Sequence, residues 1–138
     1  MINQLSYKDS QDILSEGHLG HLGCVTKGGP YVVPVSYVYH EGNIYVHSTV
    51  GKKIHALRQN PQTCIQVQEI KTGYTWRSVI AFGKYEEITN PEERSGFMCR
   101  ILTRFPYLTP VEDMTASGSK EIVIFRILVD EITGVSEE

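Results

Sequence analysis

Pro30-Tyr-Val-Val-Pro-Val-Ser-Tyr-Val-Tyr39 is rich in valine and tyrosine, and residues 31–39 are therefore predicted to form a β-strand. Glu41-Gly-Asn43 then makes a hairpin turn, and Ile44 to Ser48 forms the second strand. Pro34 cannot donate a ladder hydrogen bond, so we expect it at a sheet edge, at a bulge, or at a position that faces no other strand. This hairpin indicates antiparallel β-structure.

The rest of the chain continues this pattern of short strands and short helices. The last strand is apolar on both faces apart from Arg126, which predicts burial on both faces, inside a barrel wall or against another subunit. Consecutive hairpins with helices at the corners favour a mainly β fold, an antiparallel barrel, over a parallel sheet. The predicted helices are 8–16, 50–59 and 91–103, the further strands are 63–70, 76–88 (with a bend or bulge at Gly83) and 122–132, and residues 26–30 and 106–120 are a turn and a loop.

Composition limits the function classes. The chain has 138 residues, a length that predicts one domain over residues 1–138. Its net charge of −3 argues against a general nucleic-acid or anionic-membrane binder. Its apolar runs are too short to span a bilayer, and the first residues lack a secretory signal, so a cytoplasmic protein is expected. The three cysteines, Cys24, Cys64 and Cys99, are predicted to be small buried hydrophobes, and no metal site is expected.

An anion site is predicted where the second strand of the hairpin leads into the next helix. Ser48 or Thr49 could cap that helix, and Gly51 would allow a ligand to approach the backbone. Lys52 and Lys53 follow in the first helical turn, where the positive end of the helix disfavours cations unless an anion is present. The segment therefore predicts a phosphate cradle, and the alternative is two solvated surface lysines.

A second polar cluster begins the strand at Trp76. Trp76 and Ser78 share one strand face and Arg77 lies on the other, an arrangement that suits a planar polar ring. The alternative is an edge tryptophan with a surface arginine. His47 directly precedes the phosphate cradle and is the histidine that we favour for a functional role.

With these two clusters in this order, the chain resembles the flavin-binding split-barrel superfamily related to pyridoxamine 5′-phosphate oxidase, most closely its nitroimidazole-resistance-like branch. The resemblance covers about Gly17 to Gly134. It rests on Pro30 to Tyr39, Ile44 to Lys53, Asn60-Pro61 and Trp76-Arg-Ser-Val-Ile-Ala-Phe-Gly-Lys84.

The resemblance implies FMN, with FAD as the alternative, bound in a groove between the two subunits of a homodimer. It implies that Lys52 and Lys53 hold the flavin phosphate, and that Val35 and Ser36 run beside the isoalloxazine ring. The remaining implied positions are His47, Ser48 and Thr49 along the phosphate and ribityl chain, Arg77 and Ser78 as polar groups that reach the flavin, and Trp76 near the ring.

The same resemblance implies an oxidoreductase that passes reducing equivalents from NAD(P)H to a small acceptor such as a nitroaromatic compound, and no catalytic residue is assigned. The chain lacks the C-terminal arginine motif of true pyridoxamine 5′-phosphate oxidases, so that reaction is not expected. Two alternatives remain open. One is a non-catalytic flavin-storage protein, and the other is a haem-binding protein on the same barrel, with His47 or another histidine as ligand.

Overall fold

Eight antiparallel strands form one sheet in the computed structural model, which describes residues 1–104 and 121–138. The order is β3-β2-β6-β7-β8-β5-β4, and the short β1 pairs with the end of β8. The elements are β1 (Ile2–Gln4), α1 (Tyr7–Glu16), β2 (Leu19–Thr26), β3 (Gly29–Ser36), β4 (Val38–His40), β5 (Asn43–Thr49), α2 (Lys52–Gln59), β6 (Gln62–Ile70), β7 (Trp76–Glu87), α3 (Pro91–Arg104) and β8 (Ile122–Glu137).

The main hydrophobic core fills the concave side of this curled sheet. Side chains from six strands meet there, and α1 and α2 add the buried pairs Ile13–Leu14 and Ile54–Leu57. Burying side chains of this size contributes roughly 1.5–3 kcal/mol each, which holds both helices against the sheet. The antiparallel barrel predicted from the hairpin pattern is confirmed.

A second core lies on the outer side of β8 and β5, beneath α3. Ile124 and Tyr45 are buried there against Phe97 and Ile101, and the Tyr45 and Phe97 rings stack with centroids 4.3 Å apart. Arg126 forms ion pairs with Glu86 and Glu93 at the border of this core. The two apolar faces of β8 are thus covered within one chain, so the alternative that another subunit covers them is wrong for residues 122–127.

The predicted strand 31–39 is divided at Tyr37. The Tyr37 hydroxyl donates to the carbonyl of Leu14 at 2.6 Å, and its backbone N–H donates to the carbonyl of His18 at 3.0 Å. These bonds hold the break between the two strands: before it β3 pairs with β2, and after it β4 pairs with β5. Pro34 lies on β3, which is the last strand of the sheet order, as its missing N–H predicted.

Three strand predictions need correction. β2 was not predicted, because its glycines suggest turns, although Gly20 is required by packing: a Cβ there would lie 2.7 Å from Ile65. β1 was also not predicted. β8 continues past the predicted end at Ile132 to Glu137, because its last residues pair with both β1 and the start of β7.

The three helices and the bulge were predicted correctly. Asn90 caps α3 by accepting hydrogen bonds from the amides of Glu92 and Glu93. The register between β7 and β8 shifts between Phe82 and Gly83, which confirms the irregularity expected at Gly83. The predicted loop 106–120 lies outside the described residues.

Only one of the three cysteines is fully buried. Cys24 is buried, Cys64 is half-buried and Cys99 is exposed on α3, because it lies on the helix face away from Phe97 and Ile101. The prediction of three buried cysteines is therefore wrong. Within the described ranges, the helices are too short or too polar to cross a membrane.

Candidate functional site

The candidate site begins where β5 ends and α2 starts. Gly51 is the N-cap residue of α2, and no side chain caps this helix end. The predicted cap at Ser48 or Thr49 is wrong, because α2 starts only at Lys52 and the Ser48 hydroxyl donates to the Thr49 carbonyl at 2.9 Å. The first helical turn therefore keeps its positive end without a side-chain oxygen.

Lys52 and Lys53 leave this turn in different directions. Lys52 is exposed, and its Nζ lies 4.6 Å from the centroid of the Tyr31 ring, a cation–π contact. Lys53 is half-buried beside Cys24, and the desolvation lowers the pKa of its ammonium group while Cys24 acts in the opposite direction. Among the described residues neither lysine has a carboxylate partner. An anion bound between them would offset both the helix dipole and the desolvation.

β3 and β5 are the two strands next to these lysines, and they separate from each other. β4 pairs with β5 through Val38 and Tyr45, and continuing that register past Tyr37 sets Ser36 opposite His47. Among the described strands, however, β3 pairs with β2 alone and is therefore an edge strand. We call the space between β3 and the end of β5 the split. Within the described part of the chain, its β3 side presents a strand edge with no strand partner, whose backbone groups could bind a ligand.

The strand faces divide the predicted residues of the split into two sets. Val35 is buried in the main core, so only its backbone can face a ligand, whereas the Ser36 side chain points to the opposite, partly exposed face. On β5, Ser48 lies on the face of the core residues Ile44 and Val46, and His47 lies on the face of Tyr45. The split therefore brings together seven predicted site residues: Val35, Ser36, His47, Ser48, Thr49, Lys52 and Lys53.

Trp76, Arg77 and Ser78 are not part of this group within one chain. Trp76 pairs with Ile70 at the far end of β6. Lys53 lies beside Cys24, and the Gly23–Cys64 pair sets that residue next to Thr63, so the lysine end of the site is level with Thr63. Seven residues of strand separate these levels, a distance of roughly 23 Å. A single chain therefore does not bring the two clusters together.

Ser78 belongs to a polar chain on the outer face of the sheet. The Gln66 amide donates to the Ser78 hydroxyl at 2.9 Å, and its oxygen lies 3.2 Å from the ring nitrogen Nδ1 of His21. His21 in turn is paired with Pro34 on β3. This chain links the β7 cluster to the edge strand across β2 and β6.

Tyr31 and the polar pair His21–Gln66 were not among the predicted site residues. Tyr31 lies directly opposite Lys52, but this pairing follows from the register across the split, which sequence spacing does not give. The glycines around His21 suggest turns, so the sequence does not predict that it lies on β2 between β3 and β6.

Comparison with known proteins gives matches over nearly the whole chain. The uncharacterized protein RA0666 of Rhizobium meliloti (strain 1021) is 29% identical over an alignment 144 positions long with its gaps. The alignment covers 96% of this chain and 93% of that protein. The crystal structure of a FAD-binding protein from Mesorhizobium loti is 30% identical in sequence and has a TM-score of 0.81. The match covers 100% of this chain and 98% of that chain.

A more distant neighbour is a candidate 5-nitroimidazole antibiotic resistance protein from Bacteroides thetaiotaomicron, which is 20% identical with a TM-score of 0.72 over 99% of this chain and 87% of that chain. At this identity the likeness shows the fold alone, so assignment to the nitroimidazole-resistance branch stays a prediction. The family described as pyridoxamine 5′-phosphate oxidase matches residues 6–136. Since that match spans almost the entire split barrel, the chain belongs to the pyridoxamine 5′-phosphate oxidase family.

Proposed function

We propose that this chain binds a flavin in the split, with the flavin phosphate at Lys52 and Lys53. The observation that carries the proposal is the pair of lysines in an uncapped first helical turn, with no carboxylate partner among the described residues. Membership of the family and the likeness to the FAD-binding protein of Mesorhizobium loti support the same cofactor class.

The residues of the split fit such a group. Apart from its two chain neighbours, no described heavy atom lies within 4 Å of a Cβ built on Gly51, so there is open space in front of the backbone between the strand and the lysines. Ser48 and Thr49 offer hydroxyl groups next to that space, and the edge of β3 offers backbone donors and acceptors to a planar polar ring. This combination fits the phosphate, ribityl and ring parts of FMN, or of the FMN half of FAD.

A bound flavin supplies hydride and electron transfer, whereas the protein supplies binding, orientation and electrostatics. Lys52 and Lys53 would bind the phosphate through charge-assisted hydrogen bonds, and Tyr31 would hold the Lys52 ammonium group at the mouth of the split. The function that we propose is an oxidoreductase that uses NAD(P)H to reduce a small acceptor such as a nitroaromatic compound.

We further propose that the working unit is a homodimer. The outer face of β3, β2, β6 and β7 carries large apolar side chains that are 38–63% exposed, a concentration typical of an interaction surface. We call these residues the outer patch: Leu19, Val25, Val32, Ile70 and Phe82. Pairing of two such faces would bring the partner's Trp76 and the partner's Ser78 toward the split, which a single chain cannot do.

Flavin binding is the first expected result. Purified protein, or protein reconstituted with FMN or FAD, should show the absorption bands of a bound flavin and bind it at micromolar concentrations. Turnover of NADH or NADPH with an acceptor would separate an oxidoreductase from a storage protein. Absence of flavin binding would overturn the proposal, and a Soret band after addition of haem, lost in His47→Ala, would favour the haem alternative.

Dimerisation is the second expected result. Light scattering should give the mass of two chains, and Val32→Lys, which places a charge in the outer patch, should give monomers that bind flavin at least about tenfold more weakly. Tyr7→Lys is the matched control, because it adds the same charge at an exposed aromatic residue on α1. A monomeric wild-type chain that binds flavin tightly would contradict the shared site.

A further inference from the structure

The polar chain His21–Gln66–Ser78 crosses the outer face of the sheet in the middle of the outer patch. On one side of it lies a row of paired residues without a charged or amide side chain: Val32, Gly23, Cys64 and Phe82. On the other side, Leu19 and Ile70 are exposed. Polar groups in such a position need hydrogen-bond partners once the surrounding apolar surface is covered.

The directions of the hydrogen bonds leave one acceptor and one donor over. Both N–H groups of Gln66 are used, because they donate to Ser78 Oγ at 2.9 Å and to Gln68 Oε1 at 3.2 Å. The Gln66 oxygen can therefore only accept, so the His21 Nδ1 that lies 3.2 Å from it carries the proton. In a neutral imidazole the other nitrogen, Nε2, is then an acceptor. Among the described residues, neither His21 Nε2 nor the Ser78 hydroxyl proton has a partner.

These two groups are complementary, but one chain cannot bring them together. β6 lies between β2, which carries His21, and β7, which carries Ser78. In a two-fold dimer, residue i of one copy meets residue j of the other and the reverse contact forms as well. An axis near Gln66 would therefore set each Ser78 hydroxyl against His21 Nε2 of the other copy. Facing sheets pack about 10 Å apart, a gap that a histidine and a serine side chain can bridge together.

The charge at the centre of this face depends on His21. On the outer face of β2, β3, β6 and β7, the other titratable residues are Cys64 and Lys84. Desolvation raises the pKa of the Cys64 thiol, which keeps the thiol neutral. Lys84 is paired with Gln62, two rows away from the pair His21–Gln66. A second proton on His21 would therefore bring a charge without a counter-charge into the middle of the apolar surface.

We propose that two copies of this chain pair through the polar chain, with the partner's Ser78 hydroxyl donating to His21 Nε2 and the same bond formed in reverse, and that protonation of His21 separates the copies. This inference rests on the homodimer of the proposed function, and it adds the register of the interface and its regulation. Histidine gains its charge between about pH 8 and pH 5, so the shared flavin site is complete at the upper end of this range and is lost toward the lower end.

The test measures the dissociation constant of the dimer without added flavin, by analytical ultracentrifugation at pH 8 and at about pH 5.5. For wild type the constant should be at least about tenfold higher at the lower pH, because each dimer buries two histidines. His21→Gln keeps an acceptor that cannot be protonated, so its two constants should agree within about threefold. Circular dichroism at both pH values checks that the separated chains stay folded.

A double-mutant cycle at pH 8 tests the hydrogen bond between the copies. His21→Ala and Ser78→Ala should each raise the dissociation constant by about tenfold, because each leaves a buried group without its partner. The two changes together should raise it little more than either change alone, since both remove the same pair of bonds. Fully additive losses would overturn the contact between His21 and the partner's Ser78.

The controls separate this inference from the proposed flavin site. His40→Gln removes a histidine on β4, where it is paired with Asn43, and should keep the pH dependence of wild type. A wild-type constant that is equal at both pH values, or a His21→Gln variant that responds to pH as wild type does, would overturn the inference. Titration of wild type with FMN and FAD at pH 8 tests the proposed function separately: flavin binding by a dimer that ignores pH overturns only the inference, and a pH-dependent dimer that binds no flavin overturns only the flavin site.

Discussion

Replacing Lys52 and Lys53 together by alanine is expected to weaken flavin binding by about a hundredfold or more. Charge-assisted hydrogen bonds contribute roughly 1.5–3 kcal/mol each, and the variant removes both ammonium groups from the phosphate cradle. Titration of the variant with FMN and with FAD measures the loss. An unchanged affinity would mean that the phosphate binds elsewhere.

The stability of the unliganded variant distinguishes a binding role from a structural one. Cations at the start of a helix oppose its dipole, and Lys53 is also partly desolvated, so the double alanine variant should have a thermal midpoint no lower than wild type. Lys52→Arg with Lys53→Arg is the matched control, because it keeps both charges and should retain most of the affinity. A large fall in the midpoint would indicate that the lysines mainly hold α2 in place.

The local parts of this site could be predicted from the sequence because they are contiguous. The strand-turn-helix from Ile44 to Leu57 places Ser48, Thr49 and the two lysines at one point, whatever the rest of the chain does. The three helices could be predicted for the same reason, because the apolar spacing within each of them is local. The side-chain cap of α2 was predicted wrongly, since one or two residues decide whether a hydroxyl reaches the first amides.

The non-contiguous parts could not be predicted, because they depend on strand order and register. Trp76 follows the lysines by only 23 residues, yet it lies at the opposite end of the sheet, since β6 runs away from α2 before β7 begins. The contact between Tyr31 and Lys52 depends on the split, and the split depends on the break between β3 and β4 at Tyr37. None of these leaves a periodic signal in the sequence.

The apolar pattern of β8 shows the same limit. Apolar residues on both faces correctly predicted burial of both faces, but the pattern does not say what covers them. Phe97 and Ile101 of α3 cover the outer face at Ile124, so the surface that we propose for a second subunit is the outer patch on β3, β2, β6 and β7 instead.

Gly83→Ala is expected to cause the largest loss of stability of any single small substitution proposed for this chain. Gly83 lies at the bulge between β7 and β8, where it is paired with Val129 while its neighbour Phe82 is paired with Glu131. A Cβ on Gly83 would overlap the carbonyl group of Leu128, and this backbone atom cannot rotate away as a side chain could. The free energy of unfolding should therefore fall by about 3 kcal/mol, measured by urea denaturation.

Gly96→Ala is the matched control, because it adds the same methyl group on the exposed side of α3. Apart from its chain neighbours and the backbone of α3 itself, no described heavy atom lies within 4 Å of a Cβ at Gly96. Alanine favours a helix over glycine by up to about 1 kcal/mol, so this variant should be slightly more stable than wild type. The two variants are thus expected to change the free energy of unfolding in opposite directions, and this difference tests the placement of the bulge. A free energy of unfolding for Gly83→Ala within about 0.5 kcal/mol of the wild-type value would contradict the close approach of Gly83 to the Leu128 carbonyl, and with it the pairing of β7 with β8 at this bulge.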